Sequence, residues 1–156
     1  MTTTSTTLLD LASPSLRRLH AYWMVRAAGR AMPSRADIDP LDLGFILGDL
    51  ILIDVEPGPA GALRYRYRLY GSNVVQRQGF DLTGKYLEQH PWPAFASEII
   101  QCYDRVVQSR QPEIFSRQQE LDGRSFRHQS LLLPLGQHNQ TDMLLVGVAF
   151  NPDPVT

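Results

Sequence analysis

The stretch LRYRYRLY, Leu63–Tyr70, alternates apolar and charged side chains almost throughout. Only an extended backbone sends alternate residues to opposite faces, so this stretch is a strand with one buried and one wet side. Leu63, Tyr65, Tyr67 and Leu69 are expected inward, and Arg64, Arg66 and Arg68 outward. The run before it, LILIDVE at Leu50–Glu56, is apolar and β-branched, and PGPAG at Pro57–Gly61 is turn material. The two strands therefore make a hairpin.

Helices and further strands surround that hairpin. Ser13 followed by Pro14 is a helix start, with a hydroxyl to cap it and proline in the first turn. Leu16, Leu19, Trp23 and Ala27 recur at helical spacing and Gly29 supplies a stop. Leu8, Leu9 and Leu11 extend the apolar surface upstream, while Arg17, Arg18, Arg26 and Arg30 read as a solvated face. Pro93 opens a longer helix whose stripe is Phe95, Ile99, Cys102, Tyr103 and Val106. Strand-like runs close the chain at Glu113–Leu121, Ser125–Leu135 and Asp142–Phe150, with a tight turn at Asp122-Gly123 and a polar loop at Gln137–Thr141. Hairpins with a single helical crossover imply an α+β fold, an antiparallel sheet with its helices on one face.

With 156 residues the chain is expected to be one domain. Residues 1–12 read as a disordered polar leader, 13–48 as an N-terminal helix and capping segment, 49–151 as the sheet domain and 152–156 as a tail. The leader has neither the basic region nor the long apolar core of a signal peptide. A net charge of −1 gives no bulk attraction to nucleic acid or an anionic membrane. One cysteine excludes an internal disulfide and a cysteine-based zinc cluster, and no apolar run reaches the roughly 20 residues of a membrane span. A cytoplasmic address is expected.

The order of elements, and the segment YGSNVVQRQGFDLTGKYL with Asn73, Gly79, Leu82 and Gly84, resemble PAS domains. With MPSRADIDPLDL, RYRLYG and the late LLLPL added, the chain resembles a bacterial subfamily of short single-domain PAS proteins from about Leu16 to Phe150. The resemblance implies a PAS-like five-stranded antiparallel sheet with helices on one face and a flanking N-terminal helix. It implies no shared catalytic residues. It also implies that the sheet and the longer helix enclose a small molecule, and that the N-terminal helix, through Leu16, Leu19 and Trp23, forms a homodimer.

MPSRADIDPLDL, Met32–Leu43, is the stretch most easily taken for a metal site. Counting a calcium loop from Asp37 puts Leu41 at the fifth position, Asp42 at the sixth and Gly48 at the twelfth, and the pattern fails. Asp39 before Pro40 is instead a natural cap, with Asp42 in the turn that follows and Arg35 expected to pair with Asp37 or Asp39. The motif reads as joinery between elements.

No catalytic or metal-binding set assembles from the remaining residues. The histidines show no metal-ligand spacing; His90, before Pro91-Trp92, reads as a partly exposed loop residue, though a haem-binding PAS domain would use it as axial ligand. Cys102 reads as a small buried hydrophobe. Asn73–Phe80 lacks the cysteine of flavin photosensors, so neither haem nor flavin is supported by a specific motif. Candidate ligand contacts are Tyr65, Tyr67, Trp92, Tyr103 and His128. Whether the Phe126, His128, Ser130, Leu132 face or the Arg127, Gln129, Leu131, Leu133 face points inward is left open by period-two reasoning. The expected function is a non-enzymatic sensory or regulatory homodimer that binds a small molecule, a signalling protein or both. The alternative is a docking domain with a filled core, in which Arg64, Arg66 and Arg68 contact an acidic partner.

Overall fold

The computed structural model describes residues 2–6, 11, 13–121 and 124–150. Nine elements carry the fold: β1 (Thr2–Thr6), α1 (Pro14–Ala27), β2 (Leu50–Pro57), β3 (Leu63–Tyr70), α2 (Ser72–Gln78), α3 (Pro93–Ser109), β4 (Glu113–Leu121), β5 (Arg124–Gln137) and β6 (Gln140–Phe150). The strands form one antiparallel sheet in the order β1-β4-β5-β6-β2-β3. Strands β2 to β6 are the expected five. The sixth comes from the segment read as disordered: Thr2 to Thr6 pair with Gln118 to Ile114 of β4. Threonine is β-branched, and a polar strand is tolerated at a sheet edge. The turn expected at Asp122-Gly123, Leu8, Leu9, the side chain of Phe126 and the tail at 152–156 lie outside the described residues.

Both faces of the sheet are covered, the front by α3 and the back by the flanking N-terminal helix α1. On the front, Ile53, Tyr67, Leu132, Leu144 and Val146 pack with Phe95, Ile99, Tyr103 and Val106 of α3. On the back, Leu52, Leu131, Leu133, Leu135 and Leu145 pack with Leu16, Leu19 and Trp23 of α1. The expected helix start is observed, with the Leu16 N–H donating to Ser13 Oγ at 3.3 Å. Consecutive apolar residues in β5 fill both cores at once, so His128, Ser130 and Leu132 face the front while Leu131 and Leu133 face the back.

Leu16, Leu19 and Trp23, expected at a dimer contact, pack within the chain. Leu16 and Leu19 are fully buried within the chain, and Trp23 is 6% exposed with its indole N–H donating to the Pro134 carbonyl at 2.9 Å. The helix lies close because β6 carries glycine beneath it: a Cβ on Gly147 would stand 2.6 Å from Leu19 Cδ2 and 2.9 Å from Leu16 Cδ2. Met24 and Val25 are the large apolar side chains that α1 turns outward.

The alternation of β3 holds as far as Tyr67 and then breaks. Leu52 pairs with Leu69 but Ile53 with Tyr67, so Arg68 is an extra residue in the register. This bulge turns Leu69 out to 43% exposure and brings Tyr70 in. At the β5–β6 end the expected five-residue loop shrinks to a turn on His138 and Asn139, both at positive φ (54° and 59°), the conformation of a type I′ hairpin.

The Met32–Leu43 stretch ties neighbouring elements together. Asp37 Oδ2 accepts from the Ser34 N–H and hydroxyl and from Arg30; Asp39 Oδ1 accepts from the Leu41 N–H; Asp42 Oδ2 accepts from Tyr22 and Arg26. These bonds hold the Asp37 carboxyl at about 2, the Ser34 backbone N–H contributing most. Arg35 departs from expectation and donates to the Ile38 carbonyl. Among the described residues no group of three histidine, cysteine or carboxylate side chains is placed to hold a metal ion.

Candidate functional site

The five side chains expected to contact a ligand fall into two groups on the front of the sheet. Tyr65 and Tyr67, set by the first half of β3, meet Tyr103 of α3; the Tyr65 and Tyr103 rings are 5.1 Å apart and the Tyr67 and Tyr103 hydroxyls 3.4 Å. Tyr65 donates to Asp104 and Tyr70 to Gln78. Burial raises all four phenols above their usual value, Tyr67 to about 12, and they stay protonated. With hydroxyls satisfied and rings in contact, this end is a filled aromatic core. Cys102 lies beside it, 1% exposed, its thiol pushed up to about 12 by burial first and then by Glu113; no reactive thiolate is available there.

Trp92 and His128 belong to the second group, which gathers around Phe95 at the start of α3. The rings of His90, Trp92, Phe115 and His128 all lie within 6.5 Å of the Phe95 ring, centre to centre, and Phe80 stacks edge-on to His90 and Trp92. Into this box β4 sends a charge. Arg117 is 4% exposed, its guanidinium carbon 5.0 Å from the centre of the Phe95 ring. Its Nε and Nη1 have no hydrogen-bond partner, and the Glu98 Oε2 on α3 stands off at 4.0 Å. A buried guanidinium with two open donors is expensive, because those N–H groups have lost water and gained nothing.

His90 adds a third open donor. It is 6% exposed rather than partly exposed, and its Nδ1 accepts the Trp92 backbone N–H at 2.9 Å. In a neutral imidazole the proton then sits on Nε2, and that atom is also buried without a partner. Burial first, and Arg117 second, lower His90 to about 4 and His128 likewise. Both rings are thus neutral at pH 7. Among the described residues, these three nitrogens are the buried side-chain polar atoms lacking a partner, and all three donate.

A pH dependence follows, with its sign. A histidine at about 4 when folded and 6.5 when unfolded adds stability above pH 6.5 that drains away as the pH falls toward 4. The charges facing the pair are Arg117 on β4 and Glu98 on α3, with Arg77 of α2 lying 5.7 Å from the neighbouring Phe150 ring. Thermal midpoints should drop between pH 6.5 and 4, and His128→Phe should flatten part of that slope. A midpoint constant from pH 7 to 5 would refute the assignment. Asp42 and Asp81, lowered from 3.8 by hydrogen bonds, lose their contribution only below this window.

Sequence reasoning missed Arg117 and misjudged His90. The one signal for Arg117 was its spacing: two residues after Phe115 in a strand, it shares the face of a buried aromatic. A groove of about 410 Å³ opens elsewhere, between Arg30, Met32, Ser34 and the 136–139 turn. Its guanidinium, Arg30, is occupied by Asp37 and by the carbonyls of Arg26 and Ala27.

A five-strand antiparallel core with a helical crossover defines an α+β fold. A family model for the PAS domain matches residues 11–150. The chain belongs to the PAS domain family, whose members are sensory and regulatory modules and typically not enzymes. Among solved structures it is similar to the PAS domain from Bordetella pertussis BvgS, at 18% identity over 65% of this chain and 74% of that one, with a TM-score of 0.43. No curated protein sequence matches it. Among the described residues no helix is long and apolar enough to cross a membrane.

Proposed function

We propose that this chain is a non-enzymatic, cytoplasmic PAS sensor that changes state when a small molecule occupies the ring-lined box around Phe95. The observation that supports this reading is the set of orphaned donors on Arg117 and His90. A folded domain rarely leaves three buried N–H groups unsatisfied, and an occupant with acceptor atoms would satisfy them. Trp92 and His128 are the residues of the sequence-derived set that belong to this site, while Tyr65, Tyr67 and Tyr103 form its wall of packed core. Occupancy shifts the domain only insofar as the occupant prefers one conformation. The state is read by a homodimer partner and a signalling protein; the apolar side chains available to a second copy on α1 are Met24 and Val25. A docking domain with a filled core is the second reading, and the packed tyrosine end favours it.

Native mass spectrometry of protein taken gently from its own host, against a denatured spectrum, separates the two. Extra mass on a dimer that leaves on denaturation is the expected result. A dimer of bare chains would transfer the function to docking.

A further inference from the structure

We infer that the occupant of the Phe95 box is an uncharged, flat molecule with two or more separate hydrogen-bond acceptors and no donor, held between the Arg117 guanidinium and His90 Nε2. The inference rests on the sensor reading above and adds the ligand's chemical class. Arg117 is 4% exposed and His90 6%, and their open atoms all donate, so an N–H or O–H on the occupant would meet another donor. The open Arg117 atoms, Nε and Nη1, do not share an edge of the guanidinium, so they make no fork for a single carboxylate. One acceptor goes to the guanidinium and a separate one to His90.

Charge then excludes an anion. The Glu98 carboxylate stands 4.0 Å from Arg117 Nε and balances its single charge. His90 and His128 are neutral, and Arg77, over the Phe150 ring, is exposed to water. A carboxylate or phosphate in the box would bury a charge with no counter-ion, whereas an uncharged acceptor meets the open N–H groups without that cost. The walls set the shape. Phe80 stands at 77° to His90 and 89° to Trp92, and Phe95 at 86° to both Trp92 and Phe115. A flat ring packs against such faces and edges while its heteroatoms reach the donors from its rim.

The test uses pyrazine and chromone, flat uncharged rings with acceptor atoms on opposite sides and no donor, on the full chain at pH 7. Benzene and naphthalene supply the shape without acceptors, and pyrazine-2-carboxylate and chromone-2-carboxylate add a charge. The Arg117 Nε–H and His90 Nε2–H resonances are followed by ¹⁵N NMR, and affinity is read from their titration. At least one uncharged probe should shift both resonances, its hydrocarbon should shift neither, and its carboxylate should bind at least tenfold more weakly. Glu98→Gln should narrow or reverse that preference, because Arg117 then lacks its counter-charge. Arg117→Met should weaken the uncharged probe at least tenfold. The resonances are read on the unaltered chain, so a misfolded variant leaves the test intact. If neither uncharged probe moves them, if a hydrocarbon moves them equally, if a carboxylate binds as well, or if Arg117→Met binds as well, the assignment is wrong. An anion recovered by native mass spectrometry alongside a null result with both uncharged probes would overturn the ligand class and leave the sensor standing.

Discussion

Trp23→Ala should lower the stability of this domain by about 3–5 kcal/mol, the range for emptying a buried tryptophan site. Three contributions add. The indole is 6% exposed and fills the space between α1 and the back of the sheet. Its N–H donates to the Pro134 carbonyl at 2.9 Å, a buried hydrogen bond that alanine loses. The cavity also has little means of collapse, since Leu16 and Leu19 already rest against the backbone at Gly147. For a domain of this size the melting midpoint should fall by roughly 10 °C. Trp23→Phe keeps most of the volume and should lose about 1 kcal/mol, the worth of the hydrogen bond. Denaturant unfolding measures both. Because Trp23 faces its own sheet, neither substitution should change the oligomeric state at temperatures where the variant is folded; a lower oligomeric state without loss of stability would support the interface reading of α1.

Arg117→Met should move stability in the opposite direction, by about 1–3 kcal/mol, while abolishing the ligand binding proposed above. Buried ionic groups replaced by apolar side chains of similar size often leave a protein more stable, and this guanidinium makes no hydrogen bond through Nε or Nη1 to lose. The methionine thioether would keep the contact with the Phe95 ring. Arg117→Ala should fail to show the gain, because it removes the packing of the stem as well. A gain in the methionine variant, read by calorimetric melting, is the mark of a residue kept for function at a cost to the fold. Destabilisation beyond about 1 kcal/mol would show instead that Arg117 is held by partners in solution.

Much of this was legible because burial imposes a period. Tyr65 and Tyr67, the α3 stripe from Phe95 to Val106, and the Ser13-Pro14 start each follow from local geometry and emerge where expected. The bulge at Arg68 did not, because register is decided by the neighbouring strand and not by the alternating run itself. The second covered face was written in Leu131, Leu132 and Leu133, consecutive apolar residues that one-sided burial does not require. Arg117 stayed hidden because Ile114 and Phe115 are both buried, which leaves no polar face against which a charge looks misplaced.

The covering of both faces has a mechanical consequence. Where β5 runs through the molecule, two cores are divided by a wall one backbone thick: Leu132 touches one side and Leu131 and Leu133 the other. Arg117 is paired directly across the ladder with His128 on that wall, and six residues along it the Pro134 carbonyl holds the indole of α1. A tilt or twist imposed on β5 at its His128 end needs no relay of side chains to reach α1. The strand belongs to both compartments, so a strain entered on the Arg117 side is delivered on the helix side as displacement of the same piece of chain.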